Sequence, residues 1–88
     1  MCRSIRPLFN FDPPATDEEI RAAALQFVRK VAGTRKPSKA NETLFDESVE
    51  QITAITRKLV HGMTTKAPPK DRDVEREKAR ERFAKRRP

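Results

Sequence analysis

Residues 13–33 read PPATDEEIRAAALQFVRKVAG, and this stretch decides the fold. Two prolines break whatever precedes them, and Thr16 with Glu19 supplies the S/T-x-x-E pattern of a capping box. Asp17 and Glu18 add negative charge at the positive end of the helix dipole. Ala15 and Ile20 occupy the hydrophobic-staple positions. Ile20, Ala24, Phe27, Val28 and Val31 then recur at the i, i+3, i+4 spacing of a buried stripe. Arg21, Arg29 and Lys30 lie elsewhere on the wheel, the last two suiting the negative helix end. Gly33 supplies the left-handed residue that commonly terminates a helix. The pattern predicts a helix from Asp17 to Ala32.

A second helix begins after a short break. Pro37 in Gly33-Thr34-Arg35-Lys36-Pro37 prevents continuous helix, and Ser38 or Asn41 can cap the next one. Helix 2 is expected from about Lys39 or Glu42 to His61, ended by Gly62. Its stripe reads Leu44, Phe45, Ser48, Ile52, Ile55, Leu59 and Met63, flanked by Val49 and Val60. So short a connection favours an antiparallel hairpin. Helix 2 is the longer, so helix 1 leaves part of its stripe uncovered. The arm before the helix, residues 1–15, offers the missing surface: Ile5, Leu8, Phe9 and Phe11 can lie along the groove between the helices. Phe9 and Phe11 share one side if the arm is extended.

Hydrophobic residues make up 35% of the 88. Beyond Thr64 they are only Ala67, Val74, Ala79, Phe83 and Ala84, so the core lies in residues 1–63. Ala67-Pro68-Pro69 breaks the chain again. Asp71 or Asp73 can cap a third segment from Val74 to about Lys85, charged nearly all round. There Asp73–Arg76, Glu75–Lys78 and Glu77–Arg80 are favourable i, i+3 pairs, while Arg72–Arg76, Arg76–Arg80 and Glu77–Glu81 repel at i, i+4. The fold expected is all-α: an N-terminal extended arm packed on an antiparallel two-helix hairpin, forming a compact unit over 1–69, then a charged helix or disordered tail over 70–88.

The combination MCR-x-I, LFNF-x-PPATDEEI, KPS-x-AN and APP resembles a family of small bacterial proteins known only as a domain of unknown function. The resemblance covers about residues 1–73. It implies a bacterial source and a small protein, and it carries over no activity, substrate or cofactor.

The formal net charge is +7 and the pI about 10.2, which makes an anionic partner, such as nucleic acid or an acidic protein, plausible. No apolar run reaches the ~20 residues a membrane span needs, and the start lacks the apolar stretch of a signal peptide. The expectation is a cytoplasmic protein with no membrane association. One cysteine excludes an intramolecular disulfide framework, and no Cys/His cluster suggests zinc. No cofactor is expected: two glycines allow neither a G-x-G-x-x-G loop nor a P-loop.

Cys2 is a candidate reactive thiol, because Arg3 and Arg6 would favour its thiolate; a small hydrophobe tucked against the helices is the preferred reading. His61, the only histidine, has no nucleophile and carboxylate arrayed with it, and Asp17, Glu18 and Glu19 are explained by helix capping. The chain is expected not to be an enzyme. The most informative charge pattern is RKVAGTRKPSKAN, residues 29–41. Arg29, Lys30, Arg35, Lys36 and Lys39 surround the inter-helix turn, with Ser38 and the N–H groups at the start of helix 2. Bases beside a helix N-terminus suit a phosphate. The leading expectation is therefore a non-enzymatic binding module contacting nucleic acid through this loop. The alternative is a protein-interaction or homodimerisation module using an apolar groove between the arm and helix 2.

Overall fold

The residue patterns predict two helices and a third segment that is either a charged helix or a disordered tail. The computed structural model, which describes residues 5–86, contains three helices, the third beginning at Arg72 rather than Val74. Helix α1 spans Asp17–Ala32, a single 3-10 turn spans Lys39–Asn41, α2 spans Glu42–Gly62 and α3 spans Arg72–Arg86. The protein is predominantly helical. Two short strands add a feature that the residue patterns did not predict: β1, Phe11–Asp12, pairs in parallel with β2, Lys70–Asp71.

Both ends of α1 are built from the residues that announced them. The Glu19 N–H donates to Thr16 Oγ1 at 3.1 Å, and the Thr16 N–H donates to Glu19 Oε1 at 2.9 Å. At the other end Gly33 has φ 73°, and the N–H groups of Gly33 and Thr34 both donate to the Arg29 carbonyl. The left-handed conformation lets the chain turn back while satisfying a terminal carbonyl.

The ends of α2 differ from expectation. Neither Ser38 nor Asn41 caps a helix with its side chain. The Asn41 amide instead donates to Ser38 Oγ at 3.1 Å. The 3-10 turn supplies the backbone bonds a cap would have provided: Asn41 N–H to the Ser38 carbonyl and Glu42 N–H to the Lys39 carbonyl. Gly62 is the last helical residue, and Met63 comes next in extended conformation.

Ion pairs fix the direction of packing. Arg57 Nε donates to Asp17 Oδ1 at 2.9 Å, and Arg21 pairs with Glu50. Early α1 thus meets late α2, and the helices run antiparallel. The core between them is small: Ala15, Ile20, Ala24, Val28 and Val49, with Thr53. Thr53 is tolerated there because its hydroxyl donates to the Val49 carbonyl at 2.6 Å, so the buried oxygen keeps a partner.

The stripe expected on α2 splits. Val49, read as a flank, is buried, whereas Leu44, Ile55 and Leu59 are 67%, 69% and 56% exposed. Met63, Phe27 and Val31 are exposed too. A helix has room for one neighbour on about a third of its circumference. Here α1 takes the Val49–Thr53 side, and the largest apolar residues fall on the adjoining side.

The arm also runs elsewhere than expected. Asn10 has φ 65°, which interrupts the extended conformation and removes the shared side for Phe9 and Phe11. Beyond it the chain enters the β1–β2 pairing, alongside the segment that leads into α3. Leu8, Phe9 and Phe11 are half-buried, and Ile5 is exposed.

Candidate functional site

Three places bear on function. The first is a knot at the start of α1 that sequence reasoning missed. Arg72, the first residue of α3, forms a two-pronged pair with Glu19, Nη1 to Oε2 at 2.8 Å and Nη2 to Oε1 at 3.0 Å. Its Nε donates to the Pro13 carbonyl at 2.9 Å. The Asn10 amide donates to the Pro68 carbonyl at 3.1 Å, and the Lys70 N–H donates to the Asn10 carbonyl at 2.8 Å. Lys70 Nζ and the Arg72 guanidinium lie 5.5 and 5.7 Å from the centre of the Phe11 ring, within cation–π reach. The Arg72 hydrogen bonds, with the Thr16 N–H, lower the Glu19 pKa to about 2. Glu19 is therefore no poised acid or base; its low pKa comes from good partners, and the knot is ionic and closed. Asp71 caps α3, its Oδ1 accepting from the N–H groups of Asp73 and Val74. Glu19 was readable as half of a capping box, but nothing local points it at a base 53 residues away.

The second place is the inter-helix loop, and the structure divides its six candidate residues. Arg29, Lys30 and Arg35 come together with Gln26 around a shallow hollow of about 270 Å³. Arg29 is held there, its Nε donating to the Arg35 carbonyl at 3.1 Å. Thr34 Oγ1 accepts from the Lys36 N–H and donates to the Lys36 carbonyl, shaping the loop. Lys36 and Lys39 are exposed and line no part of this hollow. Ser38 faces another way, into the third place.

That third place is an apolar groove of about 410 Å³ between the C-terminal half of α1 and the N-terminal half of α2. Phe27, Val31, Leu44, Phe45 and Ile52 form its walls, and Pro37, Ser38 and Asn41 close its loop end. No described arm residue lines it, so the groove expected between the arm and α2 lies instead between α1 and α2. Arg29, Lys30 and Arg35 line the separate hollow and not this groove.

Cys2 lies outside the described residues. His61 is exposed near the end of α2. Among the described residues no cluster of three or more His, Cys, Asp or Glu side chains is placed to hold a metal ion, and no helix is long and apolar enough to cross a membrane.

No curated protein and no solved structure matches the chain. A family model does, over residues 1–78, and its description is "Uncharacterized conserved protein (DUF2277)". The match takes in the arm, the hairpin, the knot and the first half of α3. The chain belongs to this family of uncharacterized conserved proteins.

Proposed function

We propose that the protein is a non-enzymatic protein-interaction module whose contact surface is the open apolar face shared by α1 and α2. One observation carries this reading: Phe27, Val31, Leu44, Ile55, Leu59 and Met63 are all exposed, while the buried hydrophobic residues among those described are only Ala15, Ile20, Ala24, Val28 and Val49. Single exposed apolar side chains are ordinary. A contiguous face rimmed by polar groups marks an interaction site, and water makes leaving it bare unfavourable by roughly 25 cal/mol per Å².

The test is photo-crosslinking in extracts of the source cell. A benzoylphenylalanine at Phe27 should give a discrete adduct, and one at Asp46, on the opposite side of α2, should not. Equal labelling from both positions, or none from either, would overturn the reading.

The convergence of Arg29, Lys30 and Arg35 favours a second reading, in which the loop contacts phosphate, as on nucleic acid. Three cations about one hollow suit an anion, and such contacts weaken steeply with salt. Replacing these three by Gln should abolish binding of labelled single-stranded RNA or duplex DNA at low salt, as read by fluorescence anisotropy. Binding unchanged by the triple replacement rejects the loop as the site.

A further inference from the structure

We infer that the occupant of the open face is a second copy of this chain, packed through α2 in an antiparallel two-fold arrangement. The inference rests on the protein-interaction reading above and names its partner. Shape comes first. The molecule measures 44 × 39 × 16 Å, and its radius of gyration is 15.6 Å, against about 12 Å for a compact domain of this length. It is a single layer of helices. Its accessible surface is 7575 Å², where a monomer of this mass exposes about 5,300 Å². A stable interface removes about 800 Å² from each partner, well below this excess, to which the exposed α3 also contributes.

The layout of the face is self-complementary. The groove lies at the N-terminal end of α2, beside Leu44, and the protruding apolar side chains, Leu59 and Met63, lie at its C-terminal end. A two-fold axis crossing α2 near Gln51 and Ile52 sets Leu59 of each copy over Leu44 of the other. It also brings Met63 toward the Phe27–Val31 wall, with Ile55 over Ser48. Each copy then supplies both the groove and the side chains that fill it, as an isologous contact requires.

Charge points the same way. At 3.6 residues per turn, Glu47 and Lys58 flank the stripe on the edge away from α1. Among the described residues neither has an ionic partner. In an antiparallel two-fold pair this edge meets the same edge of the second copy, and Glu47 comes twice within two residues, about 3 Å along the axis, of level with Lys58. In a parallel two-fold pair these edges fall on opposite sides of the seam, and Glu47 and Lys58 make no such pairs. Exposed pairs of this kind add little affinity, but they select register and direction.

Sedimentation equilibrium of the full chain tests the inference. The expected mass is twice 10.1 kDa. Ile55→Glu should weaken association at least tenfold, roughly the effect of a charge in a buried contact. Because Ile55 is exposed within one chain, helical circular dichroism should be unchanged. Glu47→Lys and Lys58→Glu should each weaken association by about threefold, and the double reversal should restore it. A 10.1 kDa species at a chain concentration of about 0.1 mM, where contacts of micromolar affinity are formed, would overturn the second-copy inference. So would an assembly indifferent to Ile55→Glu and to the charge reversals. A discrete Phe27 adduct with a different protein, found beside a monomeric mass, would overturn it while leaving the interaction reading in force.

Discussion

The two ends of the helix pair are built on opposite plans. Where α1 begins, the chain is tied to itself: Arg72 reaches Glu19 and Pro13, β1 meets β2, and Asn10 holds the segment after Ala67. Where α1 ends, Phe27, Val31 and Leu44 stand open, and Arg29, Lys30 and Arg35 gather about a separate hollow. One end commits its polar groups to internal bonds and the other leaves its apolar groups uncovered. The internal ties and the uncovered apolar side chains are thus separated along one 16 Å layer, so each can be perturbed alone.

The sharpest way to break that separation is a pair of truncations. Ile20 is fully buried, and Ile20→Ala should lower unfolding stability by about 3–4 kcal/mol through lost burial and a residual cavity. For a domain this small that approaches the whole stability. Phe27→Ala at the open end should cost about 1 kcal/mol or less in dilute solution. Urea unfolding of the two variants checks this. Equal losses at low concentration would mean that the open end belongs to the core. A Phe27→Ala loss that grows with protein concentration would tie Phe27 to association.

The closed end should respond to acid. Glu19 has a folded pKa of about 2 against an ordinary 4.5. A depressed carboxylate contributes stability that is fully present above the unfolded value and disappears as pH falls from about 4.5 toward 2. Its side chain is 36% exposed, so solvent screening reduces the gain to about 1–2 kcal/mol. Urea midpoints between pH 7 and pH 2.5 should fall over this window, and Glu19→Gln should remove that part of the slope. A slope identical in the variant would show that the Arg72 pair is not an energetic tie.

The reach of sequence reasoning follows the same division. The bounds of α1, its capping box, the Gly33 turn, the Asp71 cap and the three i, i+3 pairs of α3 depend on residues within a few positions of one another. All were legible, except that Asp73 was as good a cap for α3 as Asp71, and all three pairs are present. The Arg72–Glu19 tie joins residues 53 positions apart, and no local rule selects one arginine from so many. The α2 stripe misled for a different reason. Leu44, Ile55 and Leu59 are bulky and apolar, so they draw the inward assignment. Which third of a broad apolar arc α1 covers is decided by smaller residues, Ala24 on one helix and Val49 and Thr53 on the other, that carry a weaker signal. The six loop candidates, five cations and Ser38, share only proximity in sequence. The loop and the 3-10 turn send Arg29, Lys30 and Arg35 one way and Ser38 another, a division set by backbone direction alone.

The smallest effect should separate α3 from everything else. Asp71→Ala removes the acceptor for the N–H groups of Asp73 and Val74, and loss of such a cap costs about 1 kcal/mol of helix stability. Little of that should reach the hairpin. The tie that holds α3 to α1 is at its first residue, Arg72. Its Asp73–Arg76, Glu75–Lys78 and Glu77–Arg80 pairs lie along the helix surface and are worth a few tenths of a kcal/mol each. Hydrogen exchange should therefore show faster exchange across residues 72–86 in Asp71→Ala, with rates in α1 and α2 unchanged. Slower-exchanging amides of α1 that speed up in step would mean that the knot transmits the order of α3 into the core. The closed end would then be one cooperative unit running from Asn10 through α3, rather than a tie between two independently stable parts.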